Sequence, residues 1–202
     1  MANEYLTLDE LKVASEVTGI SFMDYDGQRS VTSASRAIDE YCGRRFWLDA
    51  DTTSVRYYTP LDCHTVSIDD LATVGTVTLD LDGDGTFETT WTSTNYQLRP
   101  LNAAADSKPY EELTLRQPTY TYFPCREGSV KVTGQFGWPA VPEQVKTATT
   151  LLATKLVKRV REAPFGVVGF GIDNSVVRVI RTDPEMQILL DPLVRGQGVM
   201  VA

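Results

Sequence analysis

The chain has 202 residues, 42% of them hydrophobic and 23% charged, which is typical of a globular protein with a substantial core. Its net charge of −8 argues against a protein that grips nucleic acid through the phosphates. Cys42, Cys63 and Cys125 are widely spaced and form no CxxC pair, so we expect reduced thiols rather than a disulfide framework or a zinc knuckle. No apolar run approaches the ~20 residues that span a bilayer, and the acidic N-terminal segment is unlike a signal peptide, so we expect no membrane partner.

Two amphipathic helices are predicted near the N-terminal end. Thr7 and Glu10 have the spacing of a capping box, and an apolar repeat of helical period follows until Gly19. A second helix is predicted over about residues 26–42, with Gly43 as the residue that ends it. These two helices need partners, because neither is long enough to be stable alone.

The period then changes, and from about residue 54 to residue 138 apolar residues tend to alternate with polar ones. This alternation predicts half-buried antiparallel strands, which we expect to form a sandwich-like block. The predicted strand segments are SVRYYT, VGTVTLDL, TFETTW, NYQLR, EELTLRQ and SVKVTG.

A long helix is predicted after Pro142, which suits the start of a helix, and it ends before Pro164. Its apolar stripe consists of Val145, Ala148, Thr149, Leu152, Leu156 and Val160. The segment 164–175 is glycine-rich and predicts a loop, and SVVRVIR after it predicts a strand. Asp183 followed by Pro184 is a strong helix start, and the helix after it carries two adjacent leucines.

The predicted fold class is therefore α+β. Residues 1–53 and the long helix, 139–163, form a helical domain, into which the antiparallel β block, 54–138, is inserted. Residues 164–202 form a loop–strand–helix tail. We weigh two interpretations of this tail evenly, namely docking on a partner protein and packing on its own domain.

The stretch TLDLDGDGTFETTW places three aspartates at alternate positions before a glycine, as calcium loops of the helix–loop–helix type do. Asp80, Asp82 and Asp84 would be the first ligands, but the position of the bidentate glutamate is occupied by Trp91. The flanking segments are strand-like, and Asp-Gly dipeptides favour hairpin turns. We therefore predict a hairpin tip and no metal, with calcium binding at the three aspartates as the less favoured alternative.

No catalytic constellation is evident in the sequence. His64 follows Cys63 directly, and neighbouring residues of a strand point to opposite faces, which argues against a catalytic pair. GxSxG, P-loop and HExxH motifs are missing, so we expect neither an enzyme nor a cofactor. Aromatic residues of the β block are predicted to fill its core, with a sugar-binding platform as the alternative; they are Tyr57, Tyr58, Trp91, Tyr96, Tyr120 and Tyr122.

Several longer segments follow one another in a recognisable order. They are YLTLDELK, SASRAIDEYCGRRFW, RYYTP, DGDGTFETTW with NYQLRP, VKVTGQFGWPAVPEQVKTATTLLATKLVKR, and DPEMQILLDPLVR. In this order they resemble the head–tail connector (adaptor, or head-completion) proteins of tailed bacteriophages with long tails. The Gly-Trp-Pro run that leads into the long helix is the most specific of them.

The resemblance implies a role in assembly. Such proteins form a ring, usually a dodecamer, under the portal protein, extend the DNA channel and hold the next neck or tail-terminator protein. Double-stranded DNA would pass without sequence-specific binding, which suits the acidic charge. The implied location is the neck of the virion, and the host cytoplasm before assembly.

The same resemblance directs attention to two sets of residues. Residues of the long helix expected in helix packing or ring contacts are Leu152, Lys155, Leu156 and Arg159. Expected docking residues of the tail are Val176, Val177, Arg178, Val179, Ile180, Arg181, Leu189, Leu190 and Leu193. The alternatives are a tail-side terminator or stopper ring, and a calcium- or carbohydrate-binding β module of a phage or bacterial surface device.

Overall fold

The computed structural model describes residues 3–17, 19–116, 122–162 and 183–196. The helices within these ranges are α1 (Leu8–Val17), α2 (Asp24–Cys42), α3 (Glu143–Glu162) and α4 (Pro184–Leu190), followed by a 3-10 turn (Asp191–Leu193). The strands are β1 (Ser54–Tyr58), β2 (Thr65–Leu79), β3 (Thr89–Trp91), β4 (Tyr96–Arg99), β5 (Tyr110–Leu115) and β6 (Val130–Phe136). The protein is thus of the α+β class, as predicted. In the described ranges no helix combines the length and the apolar character needed to cross a lipid bilayer.

The chain divides into two compact units. One contains the described residues of Met1–Phe46 and Val141–Ala202, and the other consists of Trp47–Ala140. The first holds all four helices of the described ranges and the second holds the sheet, so we call them the helical unit and the sheet unit.

The ends of the helices follow local sequence signals. The Thr7 N–H donates to the Glu10 carboxylate at 2.7 Å, and the Glu10 N–H donates to the Thr7 hydroxyl at 3.2 Å. This reciprocal pair is the predicted capping box, and it satisfies N–H groups that the first turn of α1 leaves open. Gly43 ends α2 with φ of 63°, the left-handed conformation that glycine adopts without a Cβ clash.

The core of the helical unit is built where the apolar faces of α2 and α3 meet, and α1 and α4 cover its sides. The predicted stripe of α3 is the face that packs inward, since most of its members are fully buried. Buried apolar residues of this unit include Leu11, Val31, Ala34, Ile38, Phe46, Val145, Ala148, Leu152, Leu156, Met186 and Leu190.

The six strands of the sheet unit form one antiparallel sheet in the order β1-β6-β2-β5-β4, and β3 pairs with the end of β2. Strand β2 pairs with β5 along its first half and with β6 along its second half. The predicted sandwich-like arrangement is not confirmed, because this long, bulged strand joins both halves by hydrogen bonds. The core consists of Val66, Ile68, Leu71, Val77, Leu79, Trp91, Tyr96, Leu113, Phe123, Val130, Val132 and Phe136.

The first part of β2 was not predicted as strand. This part contains Asp69 and Asp70, and acidic residues are depleted in strands. Both have partners: Asp69 accepts from the Arg56 guanidinium at 2.8 Å, and the buried Asp70 accepts from the Trp138 indole N–H at 3.0 Å. Charge pairing and hydrogen bonding therefore permit a strand where local preference argues against one.

Candidate functional site

The three aspartates singled out in the sequence lie in the loop that joins β2 to β3. These strands pair antiparallel, with Leu79 opposite Thr89, so the hairpin prediction is confirmed. Gly83 and Gly85 have φ of 84° and 87°, a region that side chains with a Cβ rarely adopt. The Asp-Gly dipeptides therefore act as turn formers here.

The Asp80 carboxylate holds this loop together by accepting hydrogen bonds from its backbone. It is almost fully buried, and its two oxygens accept from the Gly83 N–H at 2.6 Å and from the Gly85 N–H at 3.0 Å. Asp84 accepts from both the hydroxyl and the N–H of Thr86, and these hydrogen bonds lower the pKa of the Asp84 carboxyl. The carboxylates thus serve as acceptors for N–H groups that the turn leaves without strand partners.

The same carboxylates are the candidate metal ligands of the chain. One oxygen each of Asp80, Asp82 and Asp84 lies within 4.8 Å of the others, and no other group of three or more potential ligands is this close in the described ranges. The position at which a calcium loop places its bidentate glutamate is Trp91, whose buried ring packs 4.7 Å from that of Phe123. Hydrogen bonding inside the loop accounts for the cluster, and calcium binding stays an untested alternative.

We predict that Asp80→Ala destabilises the sheet unit by about 2–3 kcal/mol, because two N–H groups of a tight loop lose a charged acceptor. The matched control is Asp82→Ala. Asp82 is exposed and accepts a long hydrogen bond of 3.3 Å from the Asp84 N–H, so we expect a change below about 0.5 kcal/mol. Urea unfolding followed by tryptophan fluorescence measures both, and equal effects of the two substitutions would contradict this role for Asp80.

The aromatic residues considered for a sugar-binding platform differ in exposure within the described part of the chain. Trp91 and Tyr96 are buried in the core of the sheet unit, as the favoured interpretation predicted. Tyr57 is 60% exposed on β1 and its ring lies 5.5 Å from that of Phe87. Tyr122 is also exposed, whereas Tyr120 lies outside the described residues.

The neighbouring residues Cys63 and His64 face different groups. The His64 ring lies edge-on to the Tyr122 ring at 5.3 Å, and the Cys63 sulfur lies 2.7 Å from the Cys125 sulfur. Sequence reasoning missed this pair of thiols, because 62 residues separate them and no spacing motif connects them.

A second buried polar group lies in the helical unit. The Tyr5 hydroxyl donates to the Asp39 carboxylate and accepts from the Phe46 N–H at 2.9 Å. Burial raises the pKa of Asp39 to about 6, while the hydrogen bond from Tyr5 and the nearby Arg36 oppose this rise. Through Tyr5, these hydrogen bonds connect the N-terminal segment to α2 and to Phe46. Phe46 is the last residue of the helical unit before the chain enters the sheet unit.

The predicted docking helix of the tail packs on its own unit. Met186 and Leu190 of α4 and Leu193 after it are buried. Of the two interpretations of the tail that were weighed evenly, Leu190 and Leu193 therefore follow packing on their own domain and not docking on a partner. Leu189 is half-buried, and Val176–Arg181 lie outside the described residues.

Polar contacts hold α4 in this place. Asp183 caps the helix by accepting from the Glu185 N–H at 3.1 Å, and its carboxylate also contacts the Lys155 ammonium of α3. The Tyr41 hydroxyl of α2 donates to Asp191. The Arg195 N–H donates to the backbone carbonyl of the last residue of α2 at 2.8 Å. Both long helices thus bind the short one.

Two of the four α3 residues expected in helix packing or ring contacts take part in helix packing. Leu152 and Leu156 are buried in the core of their own unit. The Lys155 ammonium forms an ion pair with the Asp183 carboxylate, and only Arg159 of the four residues is exposed. The amphipathic pattern thus identified the packing face of α3 correctly, and ring contacts at Arg159 stay a prediction.

Comparisons of the chain with protein-family models, with curated proteins and with solved structures give no match. A function therefore has to be argued from the sequence and from the contacts described above.

Proposed function

We propose that this protein is a head–tail connector (adaptor) of a tailed bacteriophage. In this role it forms a ring under the portal, extends the DNA channel and offers an attachment surface to neck or tail proteins. The observation that carries the proposal is the ordered set of connector-like segments along the chain, of which GQFGWP before the long helix is the most specific. The helical unit, interrupted in sequence by a β block, is consistent with it.

The GQFGWP segment forms a close-packed joint at the end of β6. Gly137 bridges to Leu48, and a Cβ at this glycine would lie 2.0 Å from the Trp47 carbonyl oxygen. Trp138 is buried and donates its indole N–H to Asp70 at 3.0 Å. Sterics thus require glycine at position 137, and a hydrogen bond holds Trp138 in place. Both facts support a structural role for the motif.

Ring contacts in this proposal use side chains that the isolated chain leaves exposed. A heterologous interface needs two different complementary surfaces on each copy, and exposed large apolar residues are the usual anchors. Among the described residues, the exposed large apolar side chains of the helical unit are Val13, Met23, Tyr25 and Ile188. Those of strand β1 are Val55 and Tyr57. Strand β1 also lies at one end of the sheet order, where main-chain groups can pair with another strand.

The test is the size of the purified full-length chain, measured by light scattering and electron microscopy, alone and with the portal protein encoded in the same genome. We expect a closed ring on the portal. Tyr25→Asp and Ile188→Asp should weaken ring formation at least tenfold, because a charge enters an apolar contact. The control is Thr52→Asp at an exposed position of the sheet unit, which should leave assembly unchanged.

A chain that binds neither itself nor the portal would contradict the connector role. Rings that bind the end of a tail tube but not the portal would favour the tail-side terminator or stopper instead. Tight binding of DNA of arbitrary sequence at physiological salt would also contradict the proposal, because a channel must let DNA slide.

A further inference from the structure

Two thiols of the sheet unit lie in direct contact. Cys63 belongs to the connection between β1 and β2, and Cys125 belongs to the segment before β6. Both are exposed free thiols, and their sulfurs are 2.7 Å apart. A disulfide bond is about 2.05 Å long, so the sulfurs need to approach by only about 0.7 Å to bond.

The backbone on both sides of the pair is already held together. The Phe123 N–H donates to the Cys63 carbonyl at 3.0 Å, and the Gly128 N–H donates to the Thr59 hydroxyl at 3.0 Å. The Ser129 hydroxyl donates to the Pro124 carbonyl at 2.7 Å and fixes the turn that carries Cys125. Because these contacts flank the thiols, closing a disulfide requires no large movement of the chain.

We propose that Cys63 and Cys125 form a reversible intrachain disulfide, closed by exchange with a low-molecular-weight disulfide such as oxidised glutathione. One thiolate attacks a glutathione sulfur, which forms a mixed disulfide and releases one glutathione thiolate. The second thiolate then attacks the protein sulfur of that mixed disulfide and releases the other glutathione thiolate. The two protein thiols are oxidised, one glutathione disulfide is reduced, and the two thiol protons pass to the two glutathione thiolates.

A bound metal explains the thiol pair less well. Zinc takes four ligands, and no third cysteine, histidine or carboxylate of the described residues joins these two sulfurs in a shared site. The nearest histidine, His64, packs its ring against Tyr122 instead.

The rate of disulfide closure should depend on pH. The Cys63 thiol raises the pKa of Cys125, as does the nearby Asp62 carboxylate, so we expect closure of the disulfide to become faster as pH rises.

The bond would join segments that are 62 residues apart, and strands β2 to β5 lie between them. Cross-links that close long loops restrict the unfolded chain most. The pair would stay open in a reducing cytosol and close in oxidising surroundings, which would stabilise the sheet unit only there. This modification is independent of the proposed connector role.

The full-length chain is equilibrated with millimolar oxidised glutathione or with reduced glutathione, alkylated under native conditions and mapped by mass spectrometry. We expect a Cys63–Cys125 linked peptide in the oxidised sample only. The buried Cys42 should be alkylated only after denaturation in both samples. The midpoint of thermal unfolding of the sheet unit should rise by about 10 °C on oxidation and return on reduction.

Cys63→Ser and Cys125→Ser are the matched variants, and each should abolish both the linked peptide and the thermal shift while matching the reduced wild type in stability. The inference is overturned if both thiols stay free at equilibrium with oxidised glutathione, if the linked peptides come from two different molecules, or if the reduced chain retains stoichiometric zinc on these thiols. If a serine variant fails to fold, the linked peptide and the thermal shift of the wild type alone decide the question.

Discussion

Removal of residues 183–202 is expected to destabilise the helical unit by roughly 5 kcal/mol or more. The deletion takes away Met186, Leu190 and Leu193, which are buried in this unit, and each buried side chain of this kind contributes about 1.5–3 kcal/mol. The Tyr41–Asp191 and Lys155–Asp183 contacts are lost with them. Because small domains are stable by only about 5–15 kcal/mol, we expect much of the truncated unit to be unfolded.

Two point substitutions on α4 separate packing from the other effects of truncation. Leu190→Ala should lower the free energy of unfolding by about 3 kcal/mol, since the side chain is 0% exposed. Ile188→Ala, two residues away and 76% exposed, should change it by less than about 0.5 kcal/mol.

The measurement is urea unfolding followed by far-UV circular dichroism, which detects helix. Tryptophan fluorescence serves as the internal reference, because Trp47, Trp91 and Trp138 all belong to the sheet unit. Equal stability of the Leu190 and Ile188 variants would show that α4 does not pack as described.

The expected unfolding of a chain without α4 decides how docking of the tail has to be tested. A deletion that begins before α4 would abolish portal binding simply by unfolding the helical unit, so it cannot report on docking. Substitutions confined to Val176–Arg181 leave the buried residues of α4 in place. Loss of portal binding in such variants, with an unchanged circular dichroism spectrum, is the result that the connector proposal expects.

Gly137→Ala is expected to destabilise the sheet unit by about 4 kcal/mol. Two independent penalties act at this residue. Its φ is 110°, which is strained for any residue with a Cβ, and an added Cβ would lie 2.0 Å from the Trp47 carbonyl oxygen. Backbone atoms cannot rotate away as a flexible side chain can, so the bridge between Leu48 and Gly137 has to open.

The matched control is Gly85→Ala in the hairpin loop. Gly85 has φ of 87° but no neighbouring atom within 4 Å of the added Cβ, so only the backbone strain of about 1 kcal/mol applies. Urea unfolding followed by tryptophan fluorescence compares the two variants. If Gly137→Ala is no more destabilising than Gly85→Ala, the close packing of the GQFGWP joint is not what requires its glycine.

The sequence by itself determined the features that depend on a few neighbouring residues. The Thr7–Glu10 capping box, the end of α2 at Gly43 and the start of α4 after Asp183 were all predicted, because each is a local contact or a local backbone preference. The hairpin at the aspartates was predicted for the same reason. The order of the elements also indicated that helices precede and follow the β block along the sequence.

Only the tertiary structure decided which surfaces meet. An amphipathic pattern shows that Leu152 and Leu190 are buried but does not show against what, and both lie in the core of their own unit. Asp70 occupies a strand because Trp138, far along the chain, supplies its hydrogen bond. The contact between Cys63 and Cys125 likewise depends on the order in which the strands pair, and no local preference of either cysteine encodes it.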